Sequence, residues 1–185
     1  MEENTPKKED KQAEKVKAPK KERKLLRFIL SFLFIGLVVI QLFQPDKNNN
    51  SVSLRNDIST ILPVPDTVNK LLALACYDCH SNNTNYPWYT NIQPISWWLQ
   101  NHIEEGKQHF NFNEFATIQA KNGKTALQRQ LHKLEEIKET LEEGEMPLPS
   151  YLWMHKEADL SKEQKQMIIN WADSSGKSLA LRSVN

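Results

Sequence analysis

Apolar residues run almost without interruption from Leu25 to Phe43, with no charge between Phe28 and Phe43. At 1.5 Å per residue the run reaches roughly 24–28 Å, close to the thickness of a hydrocarbon core. It predicts a membrane-spanning helix over residues 25–43. The exit Gln41-Leu42-Phe43-Gln44-Pro45 lacks a small-x-small cleavage pattern, so the expectation is an uncleaved signal anchor. Beyond it the pattern turns periodic. Val68, Leu71, Leu72 and Ala75 predict a short helix with Asp66 as its N-cap. Ile95, Trp98, Leu99, His102 and Ile103 predict a second, opened by Pro94 and running past Gly106 toward His109. Leu127, Leu131, Leu134, Ile137 and Leu141 mark a third, stopped by Gly144. Met167, Ile168 and Trp171 mark a fourth, begun by a Ser161–Gln164 capping box and ended by Gly176. Asn122-Gly123 is a turn, and prolines hold Ile61–Pro65 and Glu145–Pro149 extended.

Polar composition divides the remainder. Residues 1–24 are nearly all Lys, Glu, Gln, Ala and Pro and predict a disordered tail. Residues 44–60 predict a polar linker, 61–178 a single compact domain, and 179–185 a second tail. The formal net charge of +1 conceals an asymmetry: residues 1–43 hold 10 Lys/Arg against 6 Asp/Glu, and the rest hold 14 against 17. Positive charge clusters before the apolar run, which predicts a cytoplasmic N-terminus and a domain outside the inner membrane, in the periplasm. The body carries no basic stripe, so nucleic acid is not an expected partner.

Both cysteines of the chain fall in Cys76-Tyr77-Asp78-Cys79-His80. C-x-x-C-H has the pattern of a c-type haem attachment site. Two thiols one helical turn apart can each form a thioether with a porphyrin vinyl group, and the next imidazole becomes the axial ligand. Two other chemistries use part of this set: a zinc site, which needs a fourth ligand, and a redox dithiol, which follows a strand. Neither a second C-x-x-C nor an H-x-x-x-H occurs, and helix formers precede Cys76. The aromatics behind the motif, Tyr86, Trp88 and Tyr89, and Trp98 on the next helix are candidate porphyrin contacts. Met146 is the expected sixth ligand, because it is distant in sequence from His80 and fixed between Gly144 and two prolines. The pattern names no catalytic residue.

These stretches, together with Ile92-Gln93-Pro94-Ile95-Ser96-Trp97-Trp98-Leu99 and Met146-Pro147-Leu148-Pro149-Ser150-Tyr151, resemble the bacterial haem-binding domain family of membrane-anchored proteins. The resemblance covers residues 55–175 and implies covalent haem c outside the cytoplasmic membrane. The resulting expectation is a mainly α, cytochrome c-like helical domain behind one transmembrane helix, with one haem c and an unidentified redox partner protein. A His/Met-ligated iron would make it a one-electron carrier. An open sixth position, served by His102 or His109, would make it a peroxidase-like enzyme or a sensor.

Overall fold

The computed structural model describes residues 20–50 and 55–182. The chain forms two compact units, Met1–Phe43 and Gln44–Asn185. In the first, α1 spans Lys20–Ile40. The expected tail therefore lies outside the described residues up to position 19, and Lys20–Lys24 open the helix.

The expected transmembrane helix is corrected here. Among the described residues no helix is long and apolar enough to cross a membrane. Glu22, Arg23, Lys24 and Arg27 lie within α1, and the helix stops at Ile40 instead of reaching Phe43. The Gln41 side-chain amide donates to the Leu37 carbonyl at 2.9 Å as the backbone turns. The charge-free part, Phe28–Ile40, is roughly 20 Å long at 1.5 Å per residue, against about 30 Å of hydrocarbon.

The second unit is helical: the periodicity predicts α2 Asp66–Ala75, α4 Ile95–His109, α5 Ala126–Glu142 and α7 Lys162–Arg182 but not the short α3 Tyr77–His80 and α6 Pro149–Leu152, and Pro65 instead of Asp66 stands at the N-cap of α2. Leu134 and Leu141 of α5 are buried, with Ile168, Trp171, Ala172 and Leu179 of α7 and Leu71 and Leu72 of α2, in one core. The Ser161–Gln164 box opens α7, with reciprocal bonds of 2.8 and 3.2 Å. An analogous box, Thr125–Gln128, opens α5. The α7 helix does not end at Gly176. Burying Leu179 on the far side is worth about 1.5–3 kcal/mol, more than the roughly 1 kcal/mol an internal glycine costs. Its apolar face is also rotated from expectation, since Met167 is exposed and Ile169 is buried.

Phe110, Phe112 and Phe115 form an edge-on cluster in the core, with ring centroids 4.5 and 5.9 Å from Phe110. Tyr77 meets Phe112 edge-on at 5.0 Å. This cluster supports the α2–α3 junction. The stretch expected as a linker contributes to the same support. Asn48 is buried and donates its side-chain amide to the Ser81 carbonyl and the Thr84 hydroxyl, both at 2.9 Å.

Candidate haem site

The motif is one tight turn of backbone. Helix α2 breaks at Cys76 (φ −127°, ψ −42°) and α3 restarts at Tyr77. The N–H groups of Cys79 and His80 both donate to the Cys76 carbonyl, at 3.2 and 2.9 Å. Both thiols are free and half-buried. Burial pushes the Cys76 thiol up to about 12, with the neighbouring Cys79 adding to the effect. Burial likewise pushes Cys79 up to about 11, and the Asp78 carboxylate adds to it. A redox dithiol needs the opposite shift, toward thiolate, and follows a strand, whereas Cys76 follows a helix. Among the described residues, no three His, Cys, Asp or Glu side chains converge as metal ligands, which weighs against zinc.

His80 is prepared differently. Its Nδ1 lies 2.9 Å from the Phe110 carbonyl oxygen. A carbonyl only accepts, so Nδ1 carries the proton and Nε2 keeps its lone pair. Burial holds this imidazole below its usual pKa, with the Phe110 and Gly106 carbonyls opposing the shift in part. The neutral ring is the ligating form, and a backbone carbonyl on the remote nitrogen is the usual support for a metal-bound histidine.

Helix α4 approaches closely enough to hold α3. A Cβ built on Gly106 would lie 2.8 Å from the Cys79 carbonyl oxygen and 3.3 Å from its Cβ. Only glycine permits that contact without movement. From the other side, the Thr84 hydroxyl donates to the Asp78 carbonyl at 2.6 Å, and Lys107 donates to Asn48 Oδ1 at 2.6 Å. The Asp78 carboxylate accepts from the Asn85 N–H at 3.0 Å and from the Tyr151 hydroxyl at 2.7 Å. The asparagine-rich run after the motif is therefore a clamp on it.

Three adjoining cavities surround the turn. The first, about 520 Å³, is lined by Trp88, Tyr89, Trp98, Trp153, Met154 and His155 among others, with Cys79 in its wall. The second, about 270 Å³, brings Cys76, Cys79, His80 and Met146 together with His102 and His109. The third, about 410 Å³, continues past Cys76, His80 and Met146 toward Leu141. Met146 thus shares two cavities with His80, while Met154 shares only the first, which His80 does not line. Trp88, Tyr89 and Trp98 line the first cavity, whose wall also holds Cys79. Tyr86 lines none of the three. Its hydroxyl accepts from the Asn48 N–H at 2.8 Å and donates to Gln100 at 2.9 Å, so its ring closes the clamp instead. Sequence reading missed Trp153, Tyr151 and His155 as wall residues. The signal available was their position just past the Met-Pro stretch.

The residues fit a haem. Two adjacent thiols, a neutral imidazole and a thioether border one space. Its flanks are apolar, and Trp88 and Trp153 remain 74% and 73% exposed, leaving a large flat surface for a macrocycle to cover. Cys76 and Cys79 would hold the group's edge, and His80 its iron. No curated protein and no solved structure matches the chain. The family model described as a haem-binding domain matches residues 35–174. The chain belongs to the haem-binding domain family, and haem is its cofactor.

Proposed function

We propose that this protein carries one covalent haem c and passes single electrons. The observation that supports this most is the His80 geometry: Nδ1–H is committed to the Phe110 carbonyl, and His80 lines a cavity together with both thiols and Met146. A haem held between imidazole and thioether supplies a closed, high-potential centre suited to one-electron exchange. Cys76 and Cys79 would form the thioethers, and His80, oriented by the Phe110 carbonyl, and Met146 would hold the iron. Trp88, Tyr89 and Trp98 exclude water from the macrocycle. The same reading puts the domain outside the cytosol, where two free thiols would otherwise be open to oxidation, and gives it a redox protein as partner.

The test is expression with haem-attachment machinery, then denaturing electrophoresis and haem staining. The protein band should stain, and staining should fall away in Cys76→Ala with Cys79→Ala. An unstained wild-type band would overturn covalent attachment. Met146→Ala should lose the methionine–iron absorption band and lower the reduction potential, while Met154→Ala keeps both. The converse result would reassign the ligand. One observation favours a second reading, an enzyme or sensor with an open sixth position. His102 Nδ1 donates to the Trp98 carbonyl at 2.9 Å, and His102 lines the first two cavities. A high-spin spectrum in the oxidised wild-type protein would favour that reading.

A further inference from the structure

The segment that carries Met146 is pinned at both ends. At the near end α5 stops at Glu142, and Gly144 turns the chain in the left-handed region (φ 74°). The N–H groups of Glu145 and Met146 then both donate to the Thr140 carbonyl, at 2.9 and 3.2 Å. At the far end the Tyr151 hydroxyl donates to the Asp78 carboxylate at 2.7 Å, across 73 positions of sequence. Asp78 stands between the two cysteines, and its other carboxylate oxygen accepts from the Asn85 N–H at 3.0 Å. Pro147-Leu148-Pro149-Ser150 joins the two pins. Each proline ring fixes its own φ at about −65°, which leaves few torsions free in so short a stretch. The Tyr151 ring is braced in turn: it stacks on His155 at 4.2 Å and 11°, and His155 Nε2 lies 2.9 Å from the Tyr89 hydroxyl. Burial pushes the Tyr151 phenol up, and its bond to Asp78 adds to the effect, so the hydroxyl stays a donor around neutral pH. Asp78, Tyr151, Met146 and His80 line the second cavity together.

We propose that Tyr151 is a positioning residue for the sixth ligand: through Asp78 it straps the 146–151 segment to the C-x-x-C-H turn and so fixes where the Met146 thioether stands. This rests on the haem c reading above. The other ties do not reach the motif or give no direction. The Thr140 carbonyl anchors Met146 to α5, not to the cysteines. Leu148 and Pro149 offer apolar contact, which is non-directional. A hydrogen bond to a carboxylate has a direction, and this one ends on the residue between Tyr77 and Cys79, inside the turn that carries His80. One contact thereby links the two sides from which an iron would be held. With the strap cut, the segment gains other placements, and a competing ligand finds the Met146 position open for more of the time. Removing a hydrogen bond to a charged group shifts such a local equilibrium roughly tenfold or more.

Two measurements test it. Hydrogen–deuterium exchange on the full-length haem-free chain needs no ligation. In Tyr151→Phe, peptides over residues 146–152 should exchange about tenfold faster, with α5 and α7 unchanged. The second is imidazole titration of the oxidised holoprotein after haem staining has verified attachment, read on the methionine–iron absorption band. Tyr151→Phe should weaken the band and bind imidazole about tenfold more tightly than wild type. Asp78→Ala should do the same, and Tyr151→Phe added to it should change nothing more. Trp171→Phe loses a 3.0 Å bond to the Pro63 carbonyl in the α7 core and controls for general destabilisation. It should leave band and imidazole affinity as in wild type. Exchange, band and affinity unchanged in Tyr151→Phe would overturn the proposal. So would additive effects of Tyr151→Phe and Asp78→Ala, or the same changes in Trp171→Phe. An unstained wild-type protein would instead overturn the haem c reading, and a stained one without the band would overturn Met146 ligation. The haem-free exchange decides the strap in either case.

Discussion

At the scale of single residues the site separates two tasks by proton placement. A His80 that binds iron would need a bare Nε2, and the Phe110 carbonyl favours that form by accepting the hydrogen bond of Nδ1–H. Cys76 and Cys79 are kept protonated by burial, the form in which they would wait for attachment under the proposed function. The sign of the resulting pH dependence follows. Both thiols have a reference value of 9.0 and are raised to about 12 and about 11 in the folded chain. Between those limits the unfolded chain binds fewer protons, so stability is intact below pH 9 and is lost as pH rises toward 11 and 12. The haem-free protein should therefore show a falling Tm over that interval. The fall should be shallower in the variant carrying Cys76→Ala and Cys79→Ala, and a profile unchanged by those substitutions would contradict the assignment. Tyr77 and Tyr151 are also pushed up by burial, and their contribution should persist in the variant. Tyr151→Phe has a separate effect. It removes the hydroxyl bound to Asp78 and should lower unfolding free energy by about 1–3 kcal/mol, measured by urea titration.

At the scale of elements, two glycines inside helices have opposite meanings. Gly106 lets α4 lie against the Cys79 backbone, and a methyl there would meet a carbonyl oxygen at 2.8 Å. Gly106→Ala should cost about 1–3 kcal/mol by overpacking and reduce the yield of attached haem. Gly176 has no such neighbour, since its nearest atoms would be Leu131 and Leu134 methyls at 3.9 Å, an ordinary contact. Gly176→Ala should stabilise α7 by about 0.5–1 kcal/mol, seen as a higher urea midpoint at unchanged slope. The two cannot be told apart from sequence, where each interrupts an apolar period. That limit recurs. Periodicity gave the course of α2, α4 and α5, and the capping box gave the start of α7, because those signals are local. The end of α7, the outward turn of Met167 and the use of Tyr86 in a clamp depend on partners far away in the chain. The C-x-x-C-H motif was legible because its chemistry is packed into five residues. The Tyr89–His155 contact was not, because its halves stand 66 positions apart. The apolar run before Phe43 was read from its length, its exit pattern and its basic flank, and the charges inside α1 and its stop at Ile40 changed the result.

At the scale of the whole molecule, the fold has a buried core of its own beside an apolar cavity that a haem would fill. The Gln44–Asn185 unit has a buried cluster built on α2, α5 and α7, with Cys76 and Tyr77 packed against it, while the aromatic cavity beside Cys79 is unfilled. The haem-free unit should therefore keep its helices yet bind a hydrophobic dye, and the loaded protein should not. How haem stabilises the fold also distinguishes covalent from reversible binding. A ligand that dissociates on unfolding raises stability by RT ln(1 + [L]/Kd), so Tm climbs with added ligand. A group tied through Cys76 and Cys79 stays with the unfolded chain. Its contribution comes from re-forming the His80 and Met146 bonds and re-covering Trp88, Trp98 and Trp153, and free haem in solution adds nothing to that. Scanning calorimetry of the loaded protein with and without excess haem should give one Tm within error, and refolding should recover the methionine–iron band without added haem. A Tm that rises with haem concentration would mean that the cysteines are not attached, whatever the spectrum of the folded state.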